Sequence, residues 1–257
     1  MGMGGAFCAV ADDASTIYWN PAGLTNISGK EVTAAYTQWF ADIGHTFLGY
    51  AQSLNKNNAL GAGLIYLGAT DTERDEWGVE KGSFQIVGMA PIIGYAHRLS
   101  SRISIGGSVK YVSQKLADVS AGGFAFDIGG LYRTRAGNVT LGMSIQNVGA
   151  EIKFIAEGDA LPQNTKLGIA YRIIENFTLA LDANLLSDGQ TYVCIGGEYW
   201  VTNTMALRLG YRTGPADEGI SITLGAGFKG ERVLLNYAFV PYGDLGNSHR
   251  ISLGMKF

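Results

Sequence analysis

The sequence predicts an all-β fold: a fourteen-stranded antiparallel transmembrane β-barrel preceded by an N-terminal plug. Three observations carry this reading. From Lys30 onward the chain divides into short runs in which every second residue is apolar, and a period of two separates faces that a helical period would mix. The connections between runs alternate between tight and longer, as in outer-membrane barrels with short periplasmic turns and longer outer loops. The polar face of the runs is mostly Gly, Ala, Ser and Thr, too small and too sparsely charged to be a hydrated exterior. The apolar face carries Leu, Ile, Val, Phe and Tyr, as a lipid-facing band does. A soluble sandwich or lipocalin would bury that face and turn charges outward.

The strands are expected at 30–39, 44–54, 57–69, 82–98, 102–115, 120–133, 138–149, 163–173, 176–187, 190–201, 203–213, 218–229, 231–240 and 247–257. The last is the clearest, with His249, Ile251, Leu253, Met255 and Phe257 opposite Arg250, Ser252, Gly254 and Lys256. Tight turns are read at 55–56, 100–101, 135–137, 174–175, 202 and 230. The odd-numbered connections are longer, notably 70–81 and 150–162, although the first, at 40–43, is minimal. Aromatics near strand ends, Tyr36, Trp39, Tyr111, Tyr132, Tyr171, Tyr199, Trp200, Tyr211, Tyr237, Tyr242 and Phe257, are expected as interface girdles.

Composition agrees and excludes other classes. Of 257 residues 37 are glycine, about twice the usual ~7%, and only 16% are charged. The glycines follow no triplet period, and 47% hydrophobic content is too high for a disordered chain. A net charge of −3 gives no electrostatic footprint for nucleic acid. The longest stretches free of Asp, Glu, Lys and Arg are 14–29 and 82–97, both interrupted by Gly, Ser or other polar residues and short of the ~20 apolar residues of a membrane helix. A closed barrel is the other way across a membrane.

Residues 1–29 do not alternate. They lack a basic n-region and a continuous apolar h-region, so they are not a signal peptide, and a leader is expected upstream of them for export. The order Gly2, Gly4 and Gly5, then Asp12-Asp13, then Asn20-Pro21-Ala22-Gly23-Leu24 resembles the N-terminal hatch of the FadL-like long-chain fatty-acid transporter superfamily, especially its PorV/PorQ branch associated with type IX secretion. The resemblance implies two parts, a hatch at 1–29 inside a barrel at 30–257. It also implies that hydrophobic molecules leave the lumen sideways through a gap in the wall. The chain departs from the larger transporters of this kind in its short outer loops.

Candidate site residues follow. The hatch motif is Gly4, Gly5, Asp12, Asp13, Asn20, Pro21, Ala22 and Gly23. Asp12-Asp13 is expected to cap a turn rather than bind metal. The lumen face should carry Lys110, Asp127, Lys166, Arg172, Asp182, Glu198, Arg208, Arg212 and Lys229. These would pair across strands or hold the hatch, and Arg208 and Arg212 could receive a carboxylate bidentately. In the fourth strand Phe84 and Ile86 share one parity and Ile93 and Tyr95 the other, which predicts a wall bulge between Gly88 and Ile92 around Pro91. A Cys8–Cys194 disulfide is geometrically conceivable. The run from Gly225 to Gly230 matches G-x-G-x-x-G but joins two strands, so it is no dinucleotide site. No catalytic or metal motif stands out, and no cofactor is expected.

Two functional readings remain. The first is passage of hydrophobic small molecules, such as long-chain fatty acid or similar lipid, across a bacterial outer membrane. The second is a non-transporting barrel that partners secretion or surface-attachment proteins. A general porin is disfavoured by the glycine-lined interior. Outer-membrane lipid is the expected surroundings in each case.

Overall fold

The computed structural model describes residues 1–39, 43–154, 158–214, 221–243 and 246–257. The strands in chain order are β1 (Lys30–Gln38), β2 (Gly44–Ser53), β3 (Asn58–Arg74), β4 (Glu80–Arg98), β5 (Ile103–Leu116), β6 (Val119–Arg133), β7 (Val139–Gly149), β8 (Ile152–Lys153), β9 (Gly158–Asp159), β10 (Asn164–Ile174), β11 (Phe177–Leu186), β12 (Thr191–Trp200), β13 (Met205–Arg212), β14 (Ser221–Lys229), β15 (Val233–Pro241) and β16 (Asn247–Lys256). Fourteen of them form one closed antiparallel barrel, in which β1 pairs with both β2 and β16. The remaining two, β8 and β9, form a small hairpin in the connection between β7 and β10. No helix among the described residues is long and apolar enough to cross a membrane.

Alternation sorts the side chains as expected for lipid outside. Ile93, Phe124 and Ile128 are more than 60% exposed, while the inward residues Ile92, Ala125 and Asp127 are at most 2% exposed. Closure makes this arrangement stable, because it pairs every backbone group that a sheet edge would leave open in hydrocarbon. Tyr36, Tyr111, Tyr132, Tyr171, Tyr199, Tyr211, Tyr237 and Phe257 are outward and exposed. Two expected girdle residues turn inward instead. The Trp200 ring lies 5.7 Å from the Lys229 ammonium, and Tyr242 is buried with the Arg212 guanidinium 5.1 Å from its centroid. Near a strand end an even or odd position is easily misread when the strand stops.

The wall is uneven in height. Among the barrel strands, β1, β2, β7 and β10–β16 run to at most 11 residues, the length of tilted strands that cross a bilayer, but β3 has 17 and β4 has 19. Because β2–β3 and β4–β5 are joined by short turns at one side, the excess of β3 and β4 projects from the opposite side. The stretch 70–81, read from sequence as a loop, is therefore mostly hairpin, with Thr72 paired to Ser83 and Glu73 to Gly82. Beyond the lipid there is no apolar face to maintain, so the alternation that marks a strand disappears while the ladder continues. The minimal first connection falls on residues 40–42, outside the described residues, as do 218–220 at the expected start of β14.

The bulge expected at Gly88–Ile92 is not present. β4 keeps one register with β3 from Asn58↔His97 to Glu73↔Gly82, and with β5 from Met89↔Ser113 to Ile92↔Lys110 without an inserted residue. Phe84 and Ile86 share the inward parity of Ile92 because they line the inner face of the projecting hairpin, where apolar side chains need not point to lipid. What Pro91 does instead is interrupt the β5 ladder: Ala90 and Pro91 have no partners there, since proline has no N–H to give. A register shift occurs elsewhere, between Phe126 and Ile128 on β6, where β7 bulges at Asn147 (φ 61°).

Candidate functional site

Residues 1–29 contribute no barrel strand; they fold as a four-residue helix α1 (Thr16–Trp19) followed by a 3-10 turn (Pro21–Asn26). Short polar side chains organise this segment. Asp13 Oδ1 accepts the Ser15 N–H at 2.8 Å, so Asp13 caps the turn before α1. The Asn20 side chain accepts from the Ala22 N–H at 3.2 Å and opens the 3-10 turn, with Pro21 at its first position. Ala22 and Gly23 are buried in that turn. Gly4 and Gly5 adopt φ of 65° and 94°, which a side chain would strain.

The segment presses against inward-facing residues of the wall. A Cβ on Gly106 would stand 2.5 Å from Pro21, one on Gly142 2.6 Å from the Cys8 carbonyl oxygen, and one on Gly196 2.5 Å from Met3. Polar side chains on the wall bind its backbone. Asp182 Oδ2 accepts the N–H groups of Phe7 and Cys8, both at 2.8 Å. Thr223 Oγ1 accepts from Gly4 N at 2.9 Å and donates to Gly2 O, and Glu31 Oε1 accepts from Ala14 N at 2.9 Å. Gln146 donates to the carbonyls of Tyr18 and Trp19 that end α1, and Arg98 donates to Thr25 O. Asn20 Nδ2 donates to Cys8 O at 2.8 Å and to Gly130 O at 3.3 Å. On the other side, Ile17 and Leu24 pack with Phe47, Ala59 and Ile92.

The predicted lumen charges lie on the inner face and divide into groups. Lys110 and Asp127 form a buried ion pair at 2.8 Å, and Asp127 also accepts from Ser108 Oγ and from the bulged Asn147 N–H. Glu198 and Arg208 pair at 2.7 Å, and Arg208 also reaches Asn236 at 2.8 Å. Lys166, buried, stands 4.6 Å from the Trp19 ring centroid. Arg172 and Lys229 border a cavity below the segment. Arg212 lies against Tyr242 rather than beside Arg208, so the two do not form one carboxylate clamp.

Cys8 and Cys194 are both buried free thiols, which answers the question of a disulfide that the sequence left open. Cys8 abuts Gly168 on β10, and Cys194 sits on β12 with β11 between them. Burial pushes the Cys8 thiol up to about 12, as does Asp182 nearby. Asp12 faces cavity water but stands inside the barrel wall. Burial, with Asp13 and Glu198 close, raises its carboxyl to about 7. Among the described residues no three His, Cys, Asp or Glu side chains are grouped to hold a metal ion.

Gln146, Thr223, Glu31, Ser104 and Arg98 were not singled out from sequence. Their inward parity was readable, but their partners lie on a segment without periodicity. The profile of the family described as type IX secretion system protein PorV matches residues 1–185. The chain belongs to the PorV family. This family is FadL-like, in agreement with the hatch motif. Among solved structures, the Pseudomonas putida toluene transporter TodX superposes with a TM-score of 0.71 at 15% identity, covering 95% of this chain and 94% of TodX. The CymD monoaromatic hydrocarbon channel superposes with a TM-score of 0.74 at 14% identity, covering 100% of this chain and 96% of CymD. These likenesses show the fold that the PorV-family chain shares. No curated protein sequence matches it. Family and fold together point to an outer membrane.

Proposed function

We propose that this PorV-family barrel passes hydrophobic small molecules, long-chain fatty acid or a similar lipid, from the outer face into the membrane, with residues 1–29 as its plug and 30–257 as its wall. The observation that carries the reading is the break in the β4–β5 ladder at Ala90 and Pro91, next to Ile92, which packs against Ile17 of the N-terminal segment. Above that point the inner face of the tall wall is largely apolar, with Phe84, Ile86, Ala90, Val112 and Ala121 on it. Ile152 and Leu161, from the β7–β10 connection, pack there on Ala121 and Ala125. An apolar solute descending this face meets the segment at the height where the wall has lost a hydrogen-bonded rung, which favours sideways exit. TodX and CymD, described as a toluene transporter and a monoaromatic hydrocarbon channel, support the same reading.

The test is uptake of a fluorescent fatty acid by cells carrying the chain in an outer membrane that lacks other fatty-acid channels. Uptake several-fold above control cells supports passage, and uptake at the control level refutes it. The second reading, a barrel that serves a secretion or surface-attachment system as partner and carries no solute, is favoured by the family description. The projecting β3–β4 hairpin, whose tip residue Trp77 is 85% exposed, is the surface it would use. Co-purification of a secretion component with the native chain, lost on replacing 75–79 by Gly-Ser, supports that alternative.

A further inference from the structure

A cavity of about 680 Å³ lies on the short-turn side of the N-terminal segment, and its two ends differ in chemistry. Met3, Phe7, Val10 and Trp19 of the segment line the inner end, where Phe7 and Trp19 pack with ring centroids 5.9 Å apart. The lining as a whole carries eight Lys and Arg against five Asp and Glu. Several of the cations are engaged, Arg208 with Glu198 and Asn236 and Arg98 with Thr25 O. Arg133 and Arg172 are exposed to the cavity and have no ion-pair partner among the described residues. Register places both on the inner face of the same rim: Arg133 and Ala170 both pair with Thr140 of the intervening β7, and Arg172 follows Ala170 by two residues.

Two guanidinium groups without ion-pair partners on the lining of one cavity, beside an apolar recess, suit an anion that carries a hydrocarbon tail. A phosphate monoester brings close to two negative charges at neutral pH and oxygens for two bidentate guanidinium contacts, where a carboxylate brings one charge. The cavity volume lies in the range of small-molecule sites. We propose that this vestibule binds a single-chain, phosphate-headed amphiphile presented from the short-turn side, the phosphate held by Arg133 and Arg172 and the chain lying against Phe7 and Val10. The site faces away from the break at Pro91, so it stands whether or not the barrel passes apolar solutes.

Calorimetric titration of the full chain in zwitterionic nanodiscs tests this, with hexyl phosphate, inorganic phosphate and hexanoate as probes. Hexyl phosphate is expected to bind at least about tenfold more tightly than inorganic phosphate and about fivefold more tightly than hexanoate. The double variant Arg133→Gln/Arg172→Gln should lose at least about tenfold in affinity for hexyl phosphate, while Lys115→Gln at the opposite end of the barrel stays native-like. If the double variant does not fold, Arg172→Gln alone should still lose about threefold. Equal binding of inorganic phosphate would reduce the site to a simple charge cluster and overturn the amphiphile. Equal binding of hexanoate would overturn the phosphate assignment, and native affinity in the variants would place the ligand elsewhere.

Discussion

Asp182 shows how a single inward carboxylate can hold a segment that has no strand of its own. It is fully buried and accepts two backbone N–H groups, those of Phe7 and Cys8, through one oxygen. Asp182→Ala leaves both donors unpaired in the lumen, which costs about 2 kcal/mol or more. Amide exchange at Phe7 and Cys8 should accelerate markedly while the barrel ladders stay protected. Unchanged exchange there would show that the packing of the segment, not Asp182, holds it. Asp12 makes a different prediction. Its folded-state carboxyl is raised to about 7 by burial, Asp13 and Glu198, against Arg208 and Lys256, while the unfolded chain titrates near 3.8. The folded state therefore holds the proton more tightly. The favourable contribution is complete below about pH 4 and is lost as pH rises through about 7. Proteolysis within residues 1–29 should grow faster between pH 5 and 8, and Asp12→Asn should flatten that rise. Identical pH profiles for the two chains would remove Asp12 as the source.

At the scale of elements, the alternation in the sequence specifies the strands well, because a barrel in lipid needs a period of two on every strand. It fails where the lipid ends. The pairs Thr72–Ser83 and Glu73–Gly82 belong to a hairpin whose faces are both wet, so no pattern marks them. It also misplaces the irregularity of the wall. Pro91 is visible in the sequence, but its effect is a missing hydrogen-bonded rung, whereas a bulge sits at Asn147, held by the Asp127 carboxylate. A bulge fixed by a side chain on the neighbouring strand leaves little trace in its own residues. The inward residues Lys110, Asp127, Asp182 and Arg208 were legible from parity, and Lys110–Asp127 and Glu198–Arg208 pair across neighbouring strands, but the partners of Asp182, Phe7 and Cys8, were not, since residues 1–29 carry no periodicity. Pro91→Ala restores a donor on β4. Amide exchange around 90–92 and 110–112 should then slow by about tenfold or more, as a closed ladder requires. Exchange that stays fast would mean that the strands are held apart by something other than the missing N–H.

At the scale of the molecule, the two ends carry opposite charge. The short-turn end bears Lys56, Arg102, Arg135 and Arg232 against Glu175 and Glu231, while the far tips bear Asp75, Glu76, Asp118, Glu151 and Asp188. Outer-membrane barrels keep their short turns on the periplasmic side, which is the basic end here. An epitope inserted at Gly189, an open turn between β11 and β12, should be labelled by antibody on intact cells, and one at Gly137 only after the outer membrane is permeabilised. The reverse labelling would invert the barrel. On the proposed function, the height of the wall from β3 to β6, its largely apolar inner face and the break at Pro91 would together make a descending path that ends in the membrane. The direct measurement is the rate at which the apolar fluorophore N-phenylnaphthylamine enters asymmetric vesicles with a lipopolysaccharide outer leaflet. Native barrels should speed it several-fold over protein-free vesicles, with Pro91→Ala returning most of the way to the protein-free rate. Native barrels that enter no faster than empty vesicles would contradict passage and leave the partner role.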